Sequence, residues 1–328
     1  MTTQLAAITA VGGFVPDTIL DNAALEKMVD TTDAWITTRT GIKERRIAFD
    51  PLMATSDMAA LAVKNLLESK NINPADVECV ILATSTPDYL LTPTAALVAK
   101  KAGLSNAFAM DLNAACSGFL FALSTGAMFI ESGRYKKVIV AGADKMSSIV
   151  NYADRNTCVL FGDGAGAVLL EPANQGFGLQ DNLFMTDGGG GEVLSVPAGG
   201  SLHPASNDTI AQSMHFVKQD GRTVFKNAIK GMTGACVQLL EKNNLTTKDI
   251  DWVIPHQANL RIIDAVGETL GVPKEKIKVN IHRYGNTTAA TLPLVLWDYQ
   301  NDFKPGDKIL LTAFGAGFTW GASYLVWQ

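Results

Sequence analysis

A chain of 328 residues that is 47% hydrophobic and 18% charged has the composition of a folded protein with a large core, with room for two domains or one large double unit. The formal net charge of −5 argues against a general nucleic-acid field, the start MTTQLAAITAVGG lacks the basic region of a secretory signal, and no apolar run approaches the roughly 18 residues of a membrane span. The four cysteines (Cys79, Cys116, Cys158 and Cys236) form no CxxC pair, which weakens zinc and redox-motif readings and suits a reduced, cytoplasmic setting.

Apolar periodicity predicts a helix over 59–70, then a polar turn and the buried strand of "LLESKNINPADVECVIL" (66–82). In "TSTPDYLLTPTAALV", Thr92 stands before Pro93, where a capping role for the next helix is one reading. "DLNAACSGFLFALSTGAMFI" (111–130) sets Cys116 where a polar loop enters an apolar helix. A thiol at a helix N-terminus is favoured as thiolate; the alternative is a buried core cysteine, which Cys79, Cys158 and Cys236 fit well. The run 138–141 is continuously apolar, as in a strand covered on both faces.

A polar, Gly-rich connection near residue 175 follows. Of the four histidines, His203 and His215 fall in a polar, loop-like stretch and His282 precedes Arg283-Tyr284. His256 differs, because "DWVIPHQANLRII" leaves the end of a predicted buried strand before a helix, where α/β proteins place reactive groups. A satisfied structural histidine is the other reading. A helix is predicted over 224–242, and in "RYGNTTAATLPLVL" Asn286 reads alone as a turn or cap residue. After a strand over 309–311, the glycines of "TAFGAGFTWGASYLV" permit a tight turn with free amides, which can hold an oxyanion.

The chain also repeats itself. "LLESKNINPADVECVIL" matches "LLEKNNLTTKDIDWVIP" (239–255), with Glu68 to Glu241 and Asp76 to Asp249 both displaced by 173 positions. "KKVIVAGA" (from 136) matches "DKILLTAF" (from 307), and "GAGAVLLE" (from 164) matches "TWGASYLV" (from 319), in the same order. The pattern predicts a duplicated α/β unit, with halves 1–175 and 176–328 packed about a pseudo-twofold axis and equivalent loops at a shared cleft.

Together the stretches "DTTDAWITTRTGIKERRI", "DLNAACSGF", "FGDGAGAVLLE", "PHQANLRI", "GNTTAAT" and "FGAGFTWGA" resemble β-ketoacyl-acyl carrier protein synthase III, the initiating condensing enzyme of type II fatty-acid synthesis, over nearly the whole chain. The resemblance implies the thiolase-type fold, in α–β–α–β–α layers, and a catalytic set of Cys116, His256 and Asn286. Elongating relatives use two histidines, whereas "GNT" puts Asn286 at the second place. The GFGPG signature of plant-type polyketide synthases is missing. Phe314-Gly315-Ala316-Gly317 stands where many initiating synthases read FGGG, a small departure because the amide needs no particular side chain.

The resemblance further implies a two-stage reaction. An acyl-CoA such as acetyl-CoA acylates Cys116, with the oxyanion on the amides of Cys116 and Ala316, and CoA leaves. Malonyl-acyl carrier protein then loses CO2, and its enolate oxygen is held by His256 Nε2–H and the Asn286 amide. No metal or permanently bound cofactor is implied. Trp35, Arg39 and Arg155 match nucleotide-contact positions for CoA, and Asn259 a position near the pantetheine arm. Acyl carrier proteins are acidic, so Lys226, Lys230, Arg261, Lys274, Lys276 and Lys278 are candidates for a docking patch, although a solvated lysine face explains 274–278 equally. The family pairs as a homodimer, and Thr92 matches a position that reaches the neighbouring subunit's acyl pocket. The alternatives are a relative priming a secondary-metabolite or longer-chain pathway, or a non-catalytic acyl-CoA binding protein.

Overall fold

The computed structural model describes residues 4–328. In chain order, β1 (Ala6–Phe14) precedes a small ribbon of β2 (Ile19–Asp21) and β3 (Glu44–Arg46), which encloses α1 (Asn22–Glu26) and α2 (Asp33–Thr40). Then come α3 (Thr55–Ser69), β4 (Cys79–Ala83), α4 (Thr94–Ala102), β5 (Phe108–Leu112), α5 (Gly118–Glu131), β6 (Val138–Asp144) and β7 (Gly164–Pro172). Next are β8 (Gly178–Thr186) and a ribbon of β9 (Leu194–Ser195) and β10 (Lys218–Gln219) around α6 (Asn207–Ala211). The chain ends with α7 (Gly221–Lys242), β11 (Trp252–Pro255), α8 (Leu260–Leu270), α9 (Ile281–Tyr284), α10 (Thr291–Tyr299), β12 (Lys308–Gly315) and β13 (Thr319–Val326).

The first sheet has the order β1-β7-β6-β4-β5, and the second β8-β13-β12-β11. In both, the two strands read as a continuous apolar run and its Gly-flanked partner lie antiparallel, with the strand that follows the long helix parallel beside them. The repeated sequence pairs therefore occupy equivalent places: β4 with β11, β6 with β12, β7 with β13. Among the described residues the second sheet has no counterpart to β5; an isolated parallel bridge from Val253 to Ile277 stands there.

Layering follows from which faces are apolar. β4 and β6 are buried at every residue, as strands covered on both sides must be. Met58, Val63 and Leu66 of α3 and Val98 of α4 cover one face of the first sheet. Phe119 and Leu123 of α5 and Leu292 and Leu296 of α10 lie between the sheets, against Ile81 and Val140 on one side and Ile254 and Leu311 on the other. Met232 and Leu239 of α7 and Val266 of α8 cover the outer face of the second sheet, against Val253 and Leu310. Five layers result, α–β–α–β–α, and each fully buried Val, Leu or Ile contributes about 1.5–3 kcal/mol.

Helix starts are set by short polar side chains, and they explain where the helices exceed the sequence-based bounds. α3 begins a turn early, because Asp57 accepts the Ala54 N–H at 2.9 Å. α7 begins at Gly221, because Asp220 accepts the N–H groups of Arg222 and Thr223. Among the described residues Thr92 makes no capping bond: the start of α4 is held by the Asp111 carboxylate, which accepts from Thr94 N and Ala95 N at 2.7 Å each.

Candidate active site

Three segments from different parts of the chain converge on one cavity of about 360 Å3, lined by Cys116, His256, Asn286, Asn259 and Ala316 together with apolar side chains such as Met146, Phe161, Phe225 and Phe314. Cys116 sits in a tight turn over Ala115–Ser117, directly before α5. Ala115 has φ +47°, a left-handed conformation unusual for a residue with a Cβ, which costs of order 1–3 kcal/mol and persists only where the surroundings fix it. Part of that surrounding is Gly315, at the end of β12. A Cβ there would lie 2.8 Å from Cys116 N and 3.0 Å from Ala114 O, so only glycine lets the strand bring Ala316 up beside the cysteine.

His256 leaves the end of β11 with its N–H on Thr312 O at 2.8 Å, and the side chain is 2% exposed. Its Nδ1 lies 2.7 Å from Thr291 Oγ1, and that hydroxyl donates to Thr288 O at 3.0 Å. Where that hydroxyl gives its single proton to Thr288 O, Nδ1–H is the donor of the first bond and the neutral ring offers Nε2 as an acceptor.

Asn286 is held by its own backbone. Its N–H donates to Leu160 O at 2.9 Å, and its carbonyl accepts from Gly162 N at 3.1 Å, in an isolated bridge with Phe161. Under that bridge the fully buried Arg45 donates to Val159 O at 2.5 Å and Asn22 Oδ1 at 2.7 Å. Asn286 Oδ1 accepts the Thr288 N–H at 2.9 Å, which leaves the NH2 end of the amide for a ligand.

Electrostatics run against one expectation. Burial, and then the charge of Asp144, push the Cys116 thiol up to about 12, and burial pushes His256 down to about 3. Desolvation opposes the helix end at the start of α5, and both shifts favour a neutral thiol beside a neutral imidazole. Cys79 and Cys236 are likewise pushed up to about 12, without a comparable set of partners.

The other sequence candidates divide. Arg155 lies over Trp35, with its guanidinium carbon 5.0 Å from the ring centroid, and donates to Asp30 O at 2.7 Å. Trp35 packs in the same apolar cluster as Ile149 and Leu160, which line the cavity. Arg39 is exposed on the last turn of α2. Asn259 caps α8 through Arg261 N at 2.9 Å. Lys226, Lys230 and Arg261 are exposed, and Arg261 lies over Phe225, 5.5 Å from its centroid, at the cavity wall.

The stretch 274–278 is another matter. Lys274 faces solvent near Asp264, and Lys276 Nζ donates to Ile250 O at 2.7 Å. Lys278 is corrected outright. It is 8% exposed, its ammonium lies 2.7 Å from Asp302 and 3.8 Å from the Trp252 ring centroid, and it cannot dock a carrier protein. Thr92 is exposed beside Tyr89, Leu90 and Leu91 and does not line the cavity of its own chain. Sequence reasoning missed Asp144, Thr288 and Thr291.

Comparison with known proteins agrees with this geometry. The family described as 3-oxoacyl-[acyl-carrier-protein] synthase III matches residues 110–188, and its C-terminal part matches 240–327. A beta-ketoacyl-[acyl-carrier-protein] synthase III of Phocaeicola vulgatus is 54% identical over 98% of this chain and 96% of its own. The crystal structure of the corresponding synthase from Thermus thermophilus superposes with a TM-score of 0.91 at 43% identity, covering 98% of this chain and 99% of that one. The priming β-ketosynthase of the R1128 polyketide pathway superposes at 0.90, with 32% identity over 99% and 97%.

Proposed function

Since the chain belongs to the 3-oxoacyl-acyl carrier protein synthase III family and is a condensing acyltransferase that initiates fatty-acid synthesis, we propose that Cys116, His256 and Asn286 carry its two stages, in a cleft between halves 1–175 and 176–328. The convergence of these three side chains and Ala316 on one cavity carries the reading. In the first stage the neutral thiol attacks the thioester carbonyl of an acyl-CoA primer. Its proton passes to His256 Nε2 as the S–C bond forms, since a thiol at about 12 and an imidazole at about 3 sustain no standing ion pair. The amides of Cys116 and Ala316 hold the oxyanion. As the intermediate collapses, the CoA sulfur leaves and takes the proton from Nε2.

In the second stage the malonyl thioester of the carrier protein presents its carbonyl to the Asn286 NH2. Loss of CO2 leaves an enolate, which attacks the acyl carbon and expels the Cys116 sulfur. This stage takes up one proton, which ends on Cys116, and His256 Nε2 carries it. The malonyl carboxylate offsets the imidazolium, which burial alone disfavours. The reaction balances without a metal or a bound cofactor.

Trp35 and Arg155 form a flat, cationic face for the nucleotide of CoA, with Arg39 nearby in sequence and Asn259 at the pantetheine arm. Lys226, Lys230 and Arg261 are the docking cations for the acidic carrier. The free edge of β5, with Phe108 39% exposed and Leu90 and Leu91 89% and 93% exposed, supports a homodimer. Thr92 would then meet the partner's acyl pocket. No described helix is long and apolar enough to cross a membrane. The similarity to a polyketide priming enzyme supports a second reading, a specialised primer, which a panel of acyl-CoAs of varied length and branching separates from fatty-acid initiation.

The central test is covalent labelling. Acetyl-CoA should add one acyl group per chain, found on Cys116 by mass spectrometry; Asn286→Ala should keep much of that label while losing decarboxylation, and His256→Ala, which removes the proton acceptor, should be slowed in both stages. A label on Cys79, Cys158 or Cys236 overturns the reading.

A further inference from the structure

Asp144 closes β6 and is fully buried, and among the described residues no cation pairs with it. Its carboxylate instead collects six hydrogen bonds. Oδ1 accepts from Thr84 Oγ1 (3.1 Å), Ser85 N (2.7 Å), Thr86 N (3.1 Å) and Thr86 Oγ1 (3.0 Å), in the loop after β4. Oδ2 accepts from Thr288 Oγ1 and from Ala289 N (3.1 Å). One oxygen therefore holds a loop that follows the first sheet, and the other holds the turn that follows Asn286. A buried charge without a counter-ion is tolerated only when so fully hydrogen-bonded.

Thr288 is the point where these bonds meet the reacting groups. It has φ +51°, a left-handed conformation that a β-branched residue adopts only under constraint. Its N–H fixes Asn286 Oδ1 at 2.9 Å, and its carbonyl takes the Thr291 hydroxyl that fixes His256 Nδ1. Its own hydroxyl is on Asp144. The strand end is pressed onto the same turn, since a Cβ at Gly142 would collide with Ala289 O.

We propose that Asp144 is a positioning residue for the condensation stage: through the Thr288 hydroxyl and the Ala289 N–H it locks the strained turn that aims the Asn286 amide. The inference rests on the stage assignment above. It has a consequence that mere structural support does not. The Asp144 charge opposes ionisation of Cys116, so removing it should spare or quicken acylation while harming condensation.

Asp144→Asn keeps the size but offers an NH2 to one set of donors, and it releases one side of the grip. Thr288→Val removes the hydroxyl at constant shape without stranding the loop after β4, and Thr288→Ser restores the hydroxyl. For each variant, single-turnover labelling by acetyl-CoA and decarboxylation of malonyl-carrier protein are measured, with Asn286→Ala in parallel. Asp144→Asn and Thr288→Val should lose at least about tenfold in decarboxylation, against ~10²–10³ for removing a donor outright, with acylation at or above the wild-type rate and Thr288→Ser near wild type. Equal losses in both stages, or wild-type decarboxylation in Thr288→Val, overturn the proposal. If Asn286→Ala itself decarboxylates normally, the stage assignment falls; if it does not but Asp144→Asn and Thr288→Val do, only the role of Asp144 falls.

Discussion

Replacing Thr291 by valine tests the proton path most directly. The substitution keeps the β-branched shape and deletes the oxygen 2.7 Å from His256 Nδ1. That nitrogen is buried, so its N–H is left without a partner, a loss of about 1–3 kcal/mol. The ring can escape part of this by moving its proton to Nε2, but then the nitrogen that should receive the Cys116 proton is blocked. Either route raises the acylation barrier by the same order, which corresponds to a rate lower by about 5- to 150-fold. Rapid-quench labelling of Cys116 with acetyl-CoA measures that step apart from condensation. Thr291→Ser, which retains the hydroxyl, should recover most of the rate. Wild-type acylation by Thr291→Val would show that Nε2 takes no proton from the thiol, and the first stage would need another acceptor.

The pH dependence of stability follows from the same histidine. Its folded pKa of about 3 lies below the ordinary value of 6.5, so the unfolded chain binds more protons between the two, and stability falls as pH drops from about 6.5 toward 3. The slope from this group is at most about 1.4 kcal/mol per pH unit, and urea midpoints across that window should flatten in His256→Gln. Gly315→Ala should cost about 1–3 kcal/mol through contact with the Cys116 backbone and displace the Ala316 amide; a fall of tenfold or more in acylation with an unchanged KM for acyl-CoA is expected, and an unaffected kcat speaks against the oxyanion assignment. Thr92→Phe should lower kcat/KM for isobutyryl-CoA more than for acetyl-CoA, by the ~1–3 kcal/mol that one methylene is worth in a pocket; an unchanged ratio removes Thr92 from the acyl pocket.

What could be read in the sequence was what repeats or runs continuously. β4, β6 and their counterparts β11 and β12 are short apolar runs after a recognisable turn, and burial on both faces leaves that pattern little freedom. β1 and β8 did not emerge as a matching pair, because β8 is only partly buried beyond its first two residues and carries polar positions such as Asp181 and Asn182. Cys116, His256 and Asn286 each stand at the junction of an apolar run and a turn, but that position alone left each a structural reading, and only the resemblance of the surrounding motifs implied a catalytic set. Asp144 stands at such a junction too, but a carboxylate after a strand reads as a terminator, and its donors come from residues 84–86 and 288–289. Lys278 was misread for a related reason. "KEKIKV" looks like a solvated charge run, while the groups that enclose its ammonium, Trp252, Tyr299 and Asp302, lie more than twenty positions away in sequence. The desolvation that opposes a Cys116 thiolate could not be read, because a helix end is visible in sequence and burial is not.

A resting site of neutral thiol and neutral imidazole is also a chemically quiet one. Peroxides and simple alkylating agents react with thiolate, and a thiol held at about 12 offers almost none of it at neutral pH. The nucleophile should therefore resist oxidation between turnovers, although it is the residue that must react in every cycle. Reactivity arrives with the substrate, whose carbonyl draws the sulfur's electrons while Nε2 takes its proton. Covalent inhibitors of this site should follow the same rule. Small haloacetamides should label Cys116 slowly, and electrophiles that place an oxygen between the amides of Cys116 and Ala316 should label it fast, because they bring with them the polarisation that the resting enzyme withholds.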